Sequence, residues 1–458
     1  MPHPHVLLLS YPSQGHINPA LHFAKRLVAS GVHVTFATSI GGDRCMIKTT
    51  TAKALSFATF SDGYDEGFKQ GAGRDQYMVE LKRRGSETVA QLILGASKTG
   101  DPFTFVVYCT LLPWAAKVAR EYQLPSVLFW NQPAIVFAVY YYYFNGYGDY
   151  IKEKVDDPEF SLKLPGLPSL SRLDLPYFFM PWNNYPFALP LFKEHLDVLD
   201  EETDPKVLVN TFDALECETL NSIDKYKLIG IGPLIPSAFL GGKDLSDRSF
   251  GGDLFQGSKG CVEWLNLKSE SSVIYIAFGS ISMLSKPQLG EMARALVDMD
   301  SPFLWVVREN EREEDKLSCR DALKELGMVV PWCSQVEVLS HKAIGCFLMH
   351  CGWNSTLESL AFGVPVVAFP QWADQFTNTQ LIESVCKTGV RLKANEDGVV
   401  ESEEIKRCLE LVMGGGEEGN EIRRNAKRWK ALATEASKEG SSSEQNIMAF
   451  LNEVRGAQ

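Results

Sequence analysis

The chain has 458 residues, enough for two or three folding units around large buried cores, and its 45% apolar and 22% charged content excludes a disordered or fibrous protein. Its formal net charge of −12 leaves no global positive field for a nucleic acid or an anionic membrane, so neither is an expected partner. A polyanionic small ligand has to be held by local dipoles and hydrogen bonds instead.

In chain order, residues 1–10 hold only four consecutive apolar positions before Ser10 and no basic cluster. That is too short and uncharged for a signal peptide, and a cytoplasmic protein is expected. No stretch reaches the roughly 18 to 20 apolar residues of a membrane span, since 105–118 is broken by Pro113 and Lys117. Short β-branched or aromatic runs at 6–10, 32–38, 105–109, 126–130 and 206–210 predict buried strands, with helical spacing at 20–30 and 114–122. After the Gly/Pro-rich stretch 229–237 a second set follows: strand 273–278, helix 286–299, strands 303–307 and 345–349, a helix from Asn354, and strand 364–369. Polar 241–258 has the composition of a loose surface connection, and a last amphipathic helix follows Ser441-Ser442-Ser443 and ends near Val454. Strand and helix alternate, which predicts an α/β protein with two parallel-sheet halves and ligand-binding loops after the strand C-termini.

Two stretches carry chemistry. After the first strand comes Tyr11-Pro12-Ser13-Gln14-Gly15-His16-Ile17-Asn18-Pro19, with Pro19 suited to the first turn of a helix. A histidine at such a corner can serve as a general base, its ordinary pKa of about 6.5 lying near neutrality, although position alone leaves a capping or solvated histidine open. The second runs from Trp332 to Gln375. There the strand 345–349 leads through His350-Cys351-Gly352-Trp353 into a helix opening at Asn354-Ser355, whose free N–H groups and positive dipole end can hold a diphosphate. Trp332 can stack on a base, Glu358 can accept two ribose hydroxyls, and Asp374 and Gln375 can bond a sugar. An N-capped helix with Trp332 and Trp353 as core aromatics remains the bland alternative.

This second stretch closely resembles the plant secondary-product signature of UDP-dependent glycosyltransferases. The likeness extends to 7–19, to Phe278-Gly279-Ser280 and to Cys261-Val262-Glu263-Trp264-Leu265; the stretches 61–67 and 140–148 resemble the branch with anthocyanin and carboxylic-acid glucosyltransferases. The resemblance implies a GT-B fold of two Rossmann-like domains: an acceptor-binding domain 1–236, a linker 237–258, a UDP-sugar domain 259–440 and a C-terminal helix 441–458 packing back on the first. It implies that His16 deprotonates the acceptor, which displaces UDP with inversion. Trp332 would stack the uracil, with Cys333, through its backbone, and Gln335 meeting base and ribose and Glu358 the ribose. His350, Asn354, Ser355, Ser280 and Ser282 would meet the phosphates, and Trp353, Asp374 and Gln375 the sugar. Gln375 is the glucose-type residue, so UDP-glucose is the implied donor, with no tightly bound cofactor. A monomer is expected, and Gln14, Tyr64, Trp130 and Asn131 are the implied acceptor contacts.

One position departs from the family. Where most members carry an Asp that charges up the catalytic histidine, Tyr108-Cys109-Thr110-Leu111-Leu112-Pro113-Trp114 has Cys109. Without that carboxylate His16 is a weaker base, a loss felt most by a phenol with pKa near 10 and least by a carboxylic acid already ionised at neutral pH. The expectation tilts towards a carboxyl acceptor and a glucose ester, with Thr110 or a water as possible substitutes for the Asp and a UDP-sugar-binding sensor or scaffold as the rival reading.

Other patterns carry less. The formal GxGxxG of 414–419 follows a helix rather than a strand, and Asp298-Met299-Asp300 ends a helix, so neither predicts a nucleotide or metal site. Cys333, His341, Cys346, His350 and Cys351 match no zinc spacing, and no metal is expected. Ten cysteines without a CxxC pair are read as free thiols. The aromatic run 140–144 can line the acceptor cleft or pack the core.

Overall fold

The computed structural model describes residues 4–48, 53–67, 73–242, 244, 246–308 and 320–456. Seven parallel strands form one sheet in the spatial order Lys227–Gly230, Lys206–Val209, Ser126–Trp130, Phe105–Cys109, His5–Leu9, His33–Ser39 and Leu55–Phe60. Six more form a second in the order Met328–Val330, Phe303–Val306, Val273–Ala277, Ile344–Met349, Val366–Ala368 and Gly389–Arg391, again all parallel. In each sheet the chain starts in the middle, winds to one edge and then fills the other side. The switch points therefore lie between His5–Leu9 and Phe105–Cys109, and between Val273–Ala277 and Ile344–Met349. Such a point leaves a crevice beyond the strand C-termini where the connecting loops diverge.

Both sheets are buried on two faces, which is why their strands are continuous apolar runs rather than alternating ones. Val6, Leu8, Phe36, Val107 and Phe129 share one core with Phe23 and Leu27 of the helix Gln14–Ala29. Ile274, Ile276, Trp305, Cys346 and Leu348 share the other with Met292 and Leu296 of the helix Lys286–Met299.

The chain divides into two compact units, one of Met1–Leu254 with Ala436–Gln458 and one of Phe255–Glu435. The stretch 241–258, taken from composition for a loose surface connection, divides between the units at Leu254 and Phe255, and its described part before Phe255 is tied to the first unit. Gly252–Asp253 pairs antiparallel with Ile47–Lys48, and Lys25 donates to Asp247 at 3.1 Å. The helix Ser442–Gly456 belongs to the same unit, placing Ile447, Phe450, Leu451 and Val454 in its core. The aromatic run divides: Tyr140 is buried and stacks on Phe192 at 4.0 Å, while the chain beyond Tyr142 kinks at Asn145 and Gly146.

Candidate active site

In the Phe255–Glu435 unit, the strand Ile344–Met349 ends at His350, Cys351 turns the chain with a left-handed φ of 61°, and Gly352 caps the helix Trp353–Phe362. Nothing bulkier than glycine fits around the His350 ring. A Cβ at Gly279 would lie 2.6 Å from His350 Nε2, and one at Gly352 would lie 2.7 Å away. Burial holds the ring neutral by lowering its pKa to about 4, the Ala277 carbonyl offsetting part of that drop. The corner thus brings a neutral imidazole to a helix N-terminus, an arrangement suited to an anion held by dipoles rather than by net charge.

Around it the polar side chains are fixed by one another. Gln335 Nε2 donates to Ser355 Oγ at 2.9 Å and to Glu358 Oε2 at 2.8 Å, and the Tyr275 hydroxyl donates to Gln335 Oε1 at 3.4 Å. Glu358 is only 3% exposed, and desolvation raises its pKa to about 7, opposed by the Gln335 amide. Asn378 Nδ2 donates to both the Cys351 carbonyl and Asp374 Oδ2 at 2.8 Å, so the segment after Val366–Ala368 is tied to the His350 corner. Asp374 is buried, and its pKa is raised to about 6 by desolvation, with the Asn378 amide opposing. Gln375 Oε1 accepts from the Gln371 and Trp372 amides at 2.8 and 3.1 Å. Trp332 packs against Phe255 with ring centroids 4.4 Å apart, and the backbone of Cys333 follows it. The Ser280–Ser282 loop is drawn together by Arg308, whose guanidinium donates to the Ser280, Ile281 and Ser282 carbonyls.

The sequence-predicted donor residues Ser280, Ser282, Trp332, Cys333, Gln335, His350, Trp353, Asn354, Ser355, Glu358, Asp374 and Gln375 all lie in this one unit, on loops and helix starts that follow its strands. Phe255, Tyr275, Arg308 and Asn378 support them and were missed. Asn378 carried the one available signal, one helical turn beyond Asp374.

In the other unit the helix begins at Gln14, with Ser13 extended at its N-cap, so His16 sits in the first turn and Pro19 lies inside the helix rather than in its first turn. The His16 ring is half-buried, its Nδ1 is sealed from solvent and has no hydrogen-bond partner among the described residues, and its pKa is lowered to about 4 by desolvation alone. Cys109 closes the strand Phe105–Cys109 with its thiol fully buried in the core, raised by desolvation and hydrogen-bonded towards Ser10. It gives His16 no charge.

The four residues implied as acceptor contacts separate. The Gln14 amide is committed on both sides, donating to Asn18 and to the Gly252 carbonyl and accepting from the Leu254 amide at 2.7 Å. Trp130 is 1% exposed, packed edge-on against Phe137, Tyr140 and Phe192 with its Nε1 on the Pro133 carbonyl, which makes it a core pillar. Tyr64 is half-buried against the Tyr77 ring. Asn131, 5% exposed, donates through Nδ2 to the Gly15 carbonyl at 3.2 Å.

A helix N-terminus beside a neutral imidazole beyond one sheet, and a half-buried histidine beyond the other, suit a nucleotide-sugar-dependent transferase. Comparison with known proteins agrees. Residues 255–425 match the family described as UDP-glucoronosyl and UDP-glucosyl transferase. UDP-glycosyltransferase 75C1 of Solanum lycopersicum is 58% identical, over 99% of each chain, and phloretin 4'-O-glucosyltransferase of Malus domestica is 56% identical, over 98% of this chain and 97% of that one. The crystal structure of Os79 from O. sativa in complex with UDP superposes with a TM-score of 0.87 at 35% identity, over 98% of this chain and all of that one. The chain belongs to the UDP-dependent glycosyltransferases, enzymes of the GT-B fold, and its donor substrate is a UDP-sugar.

Proposed function

We propose that this enzyme moves glucose from UDP-glucose, with inversion, to an acidic oxygen of a small lipophilic plant metabolite, a phenolic hydroxyl in the first instance. The observation that carries the reading is His16, a half-buried imidazole kept neutral by desolvation in the first turn of the helix that follows the first strand. Its Nε2 would take the acceptor proton as the acceptor oxygen attacks the anomeric carbon. The bond from that carbon to the β-phosphate oxygen breaks, its electron pair leaves with UDP, and the donor's α linkage becomes β. Amides at the start of Trp353–Phe362 and the Ser280–Ser282 loop would stabilise the departing diphosphate without a metal ion. Trp332 would stack the uracil and Glu358 hold the ribose. With its Oε1 engaged by the Gln371 and Trp372 amides, Gln375 would offer Nε2 to a glucose hydroxyl. A phenolic acceptor is supported by the relative named for phloretin 4'-O-glucosylation.

A carboxyl acceptor is the second reading, favoured by the missing carboxylate at Cys109. A carboxylic acid is ionised at neutral pH and needs no base, whereas a phenol does. UDP release from UDP-glucose, measured without added metal over matched phenols and aromatic carboxylates, separates the two. Release with phenols, giving alkali-stable products, supports the first reading. Release confined to carboxylates, giving alkali-labile esters, supports the second, and no release with either class overturns both.

A further inference from the structure

Among the described residues, His16 Nδ1 is sealed from solvent and meets no hydrogen-bond partner, a costly state for a group whose other nitrogen is to act as base. Asn131 follows the strand Ser126–Trp130, two strands away in the sheet from the strand that leads into the His16 helix, and its Oδ1 is likewise sealed and unpartnered. The two side chains are tethered. Pro19 has no N–H, so the helical bond it would have made to the Gly15 carbonyl is missing, and Asn131 Nδ2 donates to that carbonyl at 3.2 Å. A carbonyl only accepts, which fixes the Asn131 amide with Nδ2 on Gly15 and leaves Oδ1 as its acceptor. The Asn131 backbone is itself held, its N–H donating to Thr110 Oγ1 at 3.3 Å.

We propose that Asn131 is the positioning residue for His16: Asn131 Oδ1 and His16 Nδ1, each unpartnered in this structure, pair in the working enzyme, Oδ1 accepting the Nδ1 proton and holding the imidazole in the tautomer whose Nε2 lone pair faces the acceptor. This rests on His16 being the base. The neighbouring alternatives do less. Ser13 Oγ is also sealed and unpartnered, but a hydroxyl can donate to Nδ1 and lock the wrong tautomer. Gln132 Oε1 is sealed too, yet among the described residues no hydrogen bond ties its side chain to the His16 helix. The Cys109 thiol is turned to Ser10 and is a weak acceptor. A neutral amide would orient the ring without charging it, in keeping with an imidazole whose pKa is lowered by desolvation alone. The other titratable group against the ring, the Tyr11 hydroxyl, is neutral as well, with burial pushing its pKa up to about 12.

The test compares wild type, His16→Ala, Asn131→Ala and Asn131→Asp in the full chain, with UDP-glucose and a phenol that the wild type turns over. Asn131→Ala is expected to lower kcat about 10- to 100-fold with the KM for UDP-glucose unchanged. Asn131→Asp keeps the acceptor, loses the donor to Gly15, and is expected to restore kcat and move the acidic limb of the pH profile upward. If Asn131→Asp is as slow as Asn131→Ala, the bond to Gly15 is what matters and the proposal falls. A raised KM for UDP-glucose at unchanged kcat makes Asn131 a donor contact and overturns it equally. Nitrogen NMR of the wild-type His16 ring needs no variant: a protonated Nδ1 supports the proposal, and a protonated Nε2 refutes it. Full phenol turnover by His16→Ala would instead sink the functional reading beneath it.

Discussion

In the Phe255–Glu435 unit, Gln335 holds Ser355 and Glu358, Asn378 holds Asp374, and the Gln371 and Trp372 amides hold Gln375; in the other unit, among the described residues, no bond to the sealed Nδ1 of His16 is yet in place, and Asn131 Oδ1 is the partner proposed for it. The first network is locked in advance by short internal bonds, so the cost of ordering it is met on folding rather than on binding. The second leaves its reactive group short of a partner. On the proposed function, nucleotide binding would rest on a rigid scaffold, while the base would work without a carboxylate, since Cys109 lies buried and turned to Ser10. Substitutions in the two units should therefore fail differently.

Replacing His16 by Ala should give the largest effect, lowering kcat for phenols about 10²- to 10⁴-fold while sparing UDP binding, since general-base contributions are of that order. A parallel assay with carboxylates sharpens the comparison, because an equal loss there would show that His16 does more than remove a proton. Next comes Glu358→Gln. The folded Glu358 pKa of about 7 lies above its ordinary 4.5, so the protein is most stable with this group protonated and loses stability as pH rises from about 4.5 through 7. Thermal melts of the ligand-free enzyme at pH 8 should show Glu358→Gln more stable than wild type by up to about 3 kcal/mol, with the gap closing at pH 5. The same variant should raise the KM for UDP-glucose about tenfold, one good hydrogen bond's worth.

Gly279→Ala would place its Cβ 2.6 Å from His350 Nε2 at a φ of 72°, costing about 1 to 3 kcal/mol and weakening UDP-glucose binding without changing the pH dependence of turnover. Calorimetric titration with UDP checks it, and unaltered affinity would show that the tight fit around His350 does not shape the donor site. Trp332→Ala should have the smallest effect, weakening UDP about threefold by loss of stacking, because Phe255 remains to cover part of the surface.

Most of the architecture was legible because both sheets are parallel and doubly covered, so each strand stands out as an apolar run; Phe105–Cys109, Ser126–Trp130 and Lys286–Met299 have the bounds expected of them. The donor corner was legible for a different reason. Gln335, Ser355 and Glu358, which bond one another, all fall within one stretch of sequence, so a linear motif records the contact. Asn131 and Gly15 stand 116 positions apart and are joined by a helix defect at Pro19, which sequence alone presents as a first-turn proline. Phe255 and Arg308 were invisible because their roles, covering Trp332 and gathering the Ser280–Ser282 carbonyls, exist only once the sheet has formed.

The central claim is that His16 works as a desolvated, uncharged base with no carboxylate beside it. Titrating the His16 ring by NMR, its resonance assigned by loss in His16→Ala, tests that claim most directly. A ring that stays neutral down to pH 5, with a midpoint near 4, is the result predicted. A midpoint at or above 6.5 would mean that a negative charge faces the imidazole after all, and would contradict the account.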